Sequence, residues 1–154
     1  HLIGPLAGCK ACFKCKEKKN GRCIQDKDMI NQCIQKMAAA DGIIIGSPTY
    51  FADLTPETKA LIDRAGFVAM ANGYMFKRKV GAAVVAVRRA GAIHVFDSIN
   101  HLFLISQMII AGSSYWNIGM GFAEKDVERD EEGLATMRTL GQNMGWLLKR
   151  IGND

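Results

Sequence analysis

Two short runs of β-branched and small apolar residues limit this chain more than any other feature. They are Gly42-Ile43-Ile44-Ile45-Gly46 and Val80 to Val87. Each is too short for a buried helix, lacks the alternation of a half-exposed strand, and is bounded by loop-forming residues. Such runs predict central parallel strands covered on both faces. Parallel neighbours require helical crossovers, and helix-length segments lie between and after the runs. About Asp28 to Ala40 carries Ile30, Cys33, Ile34, Met37 and Ala38 at helical spacing, with Cys33 as a small core residue. Thr55-Pro56-Glu57 is a helix start, and that helix is expected to reach about Ala65 and stop at Gly66. Residues 70–79 read as a loop with an Asn72-Gly73 turn. A helix over Ile93 to Met108 is expected to carry Ile93, Phe96, Ile99, Asn100, Phe103 and Leu104 on or near one face, and Met108-Ile109-Ile110 opens a third strand. After an acidic, solvated stretch from Glu124 to Glu132, a last helix over Gly133 to Ile151 carries Leu134, Met137, Leu140, Met144, Leu147, Leu148 and Ile151 on one stripe.

This alternation predicts a parallel α/β domain with right-handed crossovers. In such sheets a ligand sits beyond the C-terminal ends of the strands. Three loops fall there: 47–53, 88–92 and 112–121. All are rich in Gly, Ser, Tyr or Arg, which suits one planar ligand with polar edges.

The segment 8–25 is a Cys-rich loop. Cys9, Cys12, Cys15 and Cys23 follow the spacing C-x2-C-x2-C-x7-C. Two short gaps let one turn gather three thiolates, and the longer gap brings a fourth from outside it. An iron–sulfur cubane takes four such sulfurs. Structural zinc more often pairs two C-x2-C units across a longer stretch, and free redox-active thiols are the third alternative. Five cysteines without a secretory leader suit a reducing compartment, so a cytoplasmic location is expected.

With 154 residues, of which 49% are hydrophobic, the chain suffices for one cored domain, 1–154, and no apolar run is long enough to span a bilayer. The net charge of +5 comes largely from Lys10, Lys14, Lys16, Lys18, Lys19 and Arg22 beside the cysteines. Phe13 is the one aromatic among them and no nucleic-acid motif is present, so a nucleic-acid partner is not expected. Cations there lower thiolate pKa values and offset the charge of a thiolate-bound cluster. His94 and His101 are seven apart, too far to share one ion. Trp146 reads as a packing residue.

The run Gly46 to Gly66, GSPTYFADLTPETKALIDRAG, resembles the second flavin loop and following helix of the NADPH-dependent FMN reductases and multimeric flavodoxins. The four-cysteine loop just upstream resembles that of the iron–sulfur flavoproteins of the same superfamily. The likeness continues through VRRAGA and GSSYWN to the last helix. It implies a flavodoxin-like three-layer sandwich with strand order 2-1-3-4-5 in the complete fold. It implies flavin contacts at Ser47, Pro48, Thr49, Tyr50, Phe51 and Ala52, with Arg88, Arg89, Ala90 and Gly91 from the next loop and Ser113, Tyr115 and Trp116 from the third. A cation near the pyrimidine edge would stabilise reduced flavin. The family's phosphate loop, which follows its first strand, has no match here. His1-Leu2-Ile3 reads as the end of the second strand, so the domain is expected to be N-terminally incomplete.

The function implied is an FMN-dependent oxidoreductase. Electrons from NAD(P)H or a ferredoxin-like donor, a [4Fe–4S] cluster and FMN would reach a quinone-like, oxygen-species or protein acceptor in a homodimer or homotetramer. A non-catalytic flavodoxin/ferredoxin-like electron carrier and a zinc-stabilised binding module are the alternatives.

Overall fold

The computed structural model describes residues 1–152. Its elements in chain order are α1 (Lys14–Lys18), α2 (Ile30–Ala39), β1 (Gly42–Pro48), α3 (Pro56–Ala71), β2 (Val80–Val87), α4 (Ala92–Ile105), β3 (Ile109–Ile110), β4 (Ile118–Met120), a 3-10 turn (Asp126–Arg129) and α5 (Glu131–Ile151). Every strand pairing is parallel. β1 lies along one edge of β2, with Gly42 opposite Val80 and Pro48 opposite Ala86. β3 and β4 share the other edge, opposite Val80–Gly81 and Val85–Val87. They form one strand interrupted by the excursion 111–117. Asn117 repairs the break: its carbonyl accepts from Val85 N at 2.9 Å, and its side-chain amide donates to Ala83 O at 3.0 Å.

The sheet separates two cores. Ile43, Ile45, Ala83, Val85 and Val87 pack with Ile30 and Ile34 of α2, Leu61, Ala65 and Val68 of α3, and Val95, Ile99 and Phe103 of α4. On the other face Val80, Ala82 and Ala111 pack with Leu140 and Met144 of α5. This is the expected three-layer α/β architecture.

The structure corrects several sequence expectations. β1 is buried on one face only: Ile43 and Ile45 are buried, whereas Ile44 is 59% exposed because α5 covers only the start of the strand. Gly66 does not stop α3. It is buried inside a helix that runs to Ala71, and a Cβ there would lie 3.3 Å from Leu102, so the glycine serves close packing of α3 on α4. In α4 the buried stripe is Ala92, Val95, Ile99, Leu102 and Phe103, leaving Ile93 and Leu104 exposed. The loop through Gly119 contains the strand β4. His1 to Ile3 pair with no strand. The acidic stretch is not simply solvated. Asp126 accepts from Phe122 and Ala123 amides, and Asp130 caps α5 through Gly133 N at 2.9 Å. Among the described residues no helix is long and apolar enough to cross a membrane.

A groove of about 750 Å³ runs between the start of β1 and α5, lined by Ile44, Lys79, Met144 and Leu148. It lies at the N-terminal end of β1, away from the loops that α/β sheets use for ligands.

Candidate redox site at the loop ends and the cysteine loop

The first candidate loop leaves β1 through Ser47. Its hydroxyl is buried, donates to Pro48 O at 2.8 Å and accepts from Thr55 N at 3.1 Å. Ser47 therefore locks the loop to the start of α3, where Thr55 caps the helix by accepting from Thr58 N. Between these anchors the backbone reverses over Tyr50 to Asp53. Tyr50 N donates to Asp53 O at 2.8 Å, and Asp53 N donates back at 3.1 Å. Phe51 and Ala52 both take positive φ, 42° and 71°. Two L-residues in the left-handed region are costly, and tight reversals normally place Asn-Gly there. The strain turns the Phe51 ring fully into solvent beside an exposed Tyr50. Strained backbone of this kind gathers at ligand sites.

The second loop meets the first. Thr49 N donates to Ala86 O at 2.9 Å, and Gly91, at φ 88°, comes so close that a Cβ would sit 3.3 Å from Thr49 and 3.6 Å from Ala52. Thr49 Oγ1 is buried here with no hydrogen-bond partner. Arg88, Arg89 and Ala90 are exposed, and the Arg88 guanidinium lies over the Phe122 ring at 4.3 Å. The third loop stands apart. Ser113 Oγ lies 2.5 Å from Tyr115 O and from Asn117 Oδ1, so it braces the excursion between β3 and β4. Tyr115 and Trp116 pack as tilted aromatics beside Phe96, with Trp116 5.7 Å from it, and line a separate cleft with Asn100.

The nominated residues thus fall into three groups. Thr49 to Ala52 and Gly91 are brought together. Ser47 and Pro48 border a cleft toward Val127 and Met137 under α5, and Ser113, Tyr115 and Trp116 line the cleft near Phe96. Phe122 escaped sequence reasoning. Its signal was an aromatic just past a Gly-x-Gly loop at a strand end.

The cysteine loop is docked on α2 and α3. Phe13 packs edge-on against Phe67 with ring centroids 6.2 Å apart, and Gly21 N donates to the Asn72 carboxamide at 2.8 Å. The loop coils through left-handed residues at Ala11, Phe13, Lys19 and Gly21. Cys9, Cys12, Cys15 and Cys23 all line one small cavity, with Lys10, Phe67 and Arg64. Ala11 N donates to Cys9 Sγ at 3.4 Å. Burial pushes the Cys15 thiol up from its ordinary value, with neighbouring Cys23 and Cys12 adding to the rise. Among the described residues no three His, Cys, Asp or Glu side chains close on one point as a single metal ion requires.

Two members of the basic run are paired with carboxylates. Lys14 pairs with Glu17 at 2.7 Å and Arg22 with Asp26 at 3.0 Å, both exposed. The buried positive charge comes instead from Arg64 on α3, which sequence reasoning missed because it sits at a core position of an amphipathic helix. Arg64 pairs with Asp28 and donates to the carbonyls of Ala7 and Gln25. Burial raises the Asp28 carboxyl, but the Arg64 guanidinium with the Ile30 and Ala7 amides outweighs it and holds the group below the usual range. Burial likewise opposes the Arg64 charge, and the carboxylate of Asp28 and the thiol of Cys23 more than restore it.

Comparison with known proteins follows the same lines. Residues 2–123 match the NADPH-dependent FMN reductase family. An iron–sulfur flavoprotein of Methanocaldococcus jannaschii is 36% identical over 158 residues, covering 97% of this chain and 77% of the relative. One from Methanosarcina thermophila is 33% identical, covering 95% and 74%. Among solved structures, the Trp repressor binding protein of Bacillus subtilis superposes with a TM-score of 0.56 at 15% identity, covering 77% of this chain and 70% of that one. A WrbA-like flavodoxin from Agrobacterium tumefaciens gives 0.50 at 16% identity, covering 71% of each. These two confirm the flavodoxin-like fold. The chain is a flavin-dependent oxidoreductase and belongs to the NADPH-dependent FMN reductase family, among its iron–sulfur flavoproteins.

Proposed function

We propose that this protein passes electrons from a reduced donor, NAD(P)H or a ferredoxin-like protein, by way of a [4Fe–4S] cluster and FMN to a small-molecule or protein acceptor. The single observation that carries the reading is the gathering of Cys9, Cys12, Cys15 and Cys23 around one cavity on a domain of the FMN reductase family. Bound FMN exchanges electron pairs with a nicotinamide and single electrons with an iron–sulfur centre, which is the chemical reason to combine them.

The chain's own residues would act as holders and covers. Thr49 offers an unpartnered buried hydroxyl, and the close approach of Gly91 leaves backbone open to a planar polar edge. Tyr50 and Phe51 present aromatic faces to cover an apolar ring. Arg88 or Arg89 would stand at the pyrimidine edge. The four thiolates would hold the cluster, with Ala11 N–H orienting Cys9. Exposed Ile93, Leu104 and Ile105 on α4 are the surface on which a homodimer or homotetramer would bury apolar area.

The visible spectrum tests this directly. Protein reconstituted anaerobically with FMN, ferrous iron and sulfide should show flavin bands and a broad shoulder that bleaches on reduction. Cys12→Ala should lose the shoulder and keep the flavin bands. A protein that holds zinc and no colour sinks the proposal, and NAD(P)H oxidation with quinone acceptors separates an enzyme from a simple carrier.

A further inference from the structure

Arg64 is unusual in its position and in its hydrogen bonds. Among the described residues it is the only charged one buried as a whole, at 1% exposure. An arginine carries five N–H vectors. Nη1 spends two, on Ala7 O and the Asp28 carboxylate, and Nη2 spends one, on Gln25 O at 2.5 Å. Nε–H is buried without any acceptor. An orphaned donor on a buried guanidinium is costly, and the residue lines the same cavity as the four cysteine sulfurs. The sulfurs that line this cavity are the candidate acceptors, and Cys23 is the thiol that already supports the Arg64 charge. All three carbonyl or carboxylate partners lie on residues 7–28, so the contacts that hold the guanidinium also fix the ends of the cysteine loop around it.

We propose that Arg64 is a positioning residue of the four-cysteine site: it donates its orphaned Nε–H to a sulfur there and sets its guanidinium charge beside the cluster. The inference rests on the cluster reading above. One-electron reduction adds a negative charge to a group already carrying several. A fixed, unhydrated cation at hydrogen-bond range favours the reduced form and raises the reduction potential, because hydrogen bonds to sulfur and local charge are what the protein uses to set it. Lysines of the loop cannot replace it, since their charges are exposed to solvent.

The test uses the whole chain reconstituted anaerobically with iron and sulfide, compared with Arg64→Lys and with the double variant Asp28→Asn/Arg64→Met, which removes both halves of the buried pair. The wild type should bind about four irons. The double variant, whose net charge is unchanged, should bind them and, for want of the N–H donor to sulfur, show at least a tenfold smaller equilibrium constant for one-electron reduction, about 59 mV more negative for one electron. Arg64→Lys, which keeps the charge, should recover most of that loss. A wild type that takes up no iron overturns the cluster reading and this inference with it. A loaded double variant at the wild-type potential overturns the role of Arg64 alone. A readout independent of variant folding is pulsed EPR on reduced wild-type protein labelled with 15N-arginine. Coupling to an arginine nitrogen is expected, and its absence overturns the hydrogen bond.

Discussion

Asn31 holds Cys23 as a neighbouring strand would. Its side-chain carbonyl accepts from Cys23 N at 2.8 Å, and its amide donates to Cys23 O at 2.9 Å. The same amide reaches Gln25 O at 3.2 Å and the Asp26 carboxylate at 2.8 Å. Asn31 sits on the first turn of α2 at 1% exposure. The fourth cysteine, separated from the other three by the long gap, is thus fixed by a buried helix residue. The donated hydrogen bond from Asn31 and the Arg22 pair also hold the Asp26 carboxyl below its ordinary range.

Asn31→Ala should therefore destabilise the protein by about 2–3 kcal/mol, the scale of leaving buried backbone groups of one residue unpaired. It should also lower iron retention after desalting. Cys33→Ala, two residues further along the same helix but only partly buried against the core, is the comparison and should cost about 1 kcal/mol with unchanged iron. Urea unfolding and iron content of the two variants check this. Equal iron loss in both would mean that helix stability, and not the clasp on Cys23, is being read.

Gly91 joins the two loops that the structure brings together. Gly91→Ala adds a Cβ 3.3 Å from Thr49 in a backbone at φ 88°, so it should cost about 1–2 kcal/mol for the left-handed conformation alone. If these loops hold the flavin, the displaced Thr49 should raise the FMN dissociation constant about tenfold. Arg89→Ala, exposed on the same loop, should change stability by less than about 0.5 kcal/mol. Quenching of FMN fluorescence on titration measures the affinity.

The core of the fold was legible because burial imposes a period. Ile30, Ile34 and Met37 fall where the 3.6-residue repeat places them, and Val80 to Val87 reads as one buried strand. The errors came where packing overrode local signals. Gly66 reads as a stop but lies inside α3 because Leu102 needs the space. β4 was hidden because only three residues pair, one of them Gly119 and with Gly121 directly after, and its register depends on Asn117 mending the ladder. For the site, the close cysteine spacing made it legible that the four would lie together, and they line one cavity. Arg64 was invisible for the opposite reason: its partners at Ala7, Gln25 and Asp28 are distant in sequence, and no local pattern marks a buried ion pair.

Gly81 faces Phe103 across the β2–α4 contact. A Cβ there would lie 2.9 Å from the ring and 3.1 Å from the end of Met108. Both neighbours are buried, so neither can swing away into solvent. Gly81→Ala should be destabilising by about 1–3 kcal/mol, the range for overpacking a filled core. The Gly42→Ala change meets only the flexible tips of Leu148 and Met144 and should cost less. Thermal unfolding of both ranks them. A neutral Gly81→Ala would show that α4 shifts freely over the sheet.

Asp130 ties the start of α5 to β4, accepting from Gly133 N at 2.9 Å and from Met120 N at 2.6 Å. The Met120 amide first, and then that of Gly133, hold its carboxyl below the ordinary carboxylate range. In the unfolded chain the group titrates near pH 3.9. Between its folded and unfolded values the unfolded state binds the proton more readily, so protonation favours unfolding. The stabilisation is complete above about pH 5, declines as the pH falls through the unfolded value, and is lost below the folded one. Asp28, held low by Arg64, has the same sign and adds to the slope. Asp130→Asn keeps an acceptor but not the charge. It should lower stability at pH 7 by about 1 kcal/mol, as loss of part of a cap does, and should flatten the decline between pH 5 and 3. Melting temperatures of wild type and variant across that range decide it. Curves that stay parallel down to pH 3 would mean that the Asp130 charge contributes nothing to the fold.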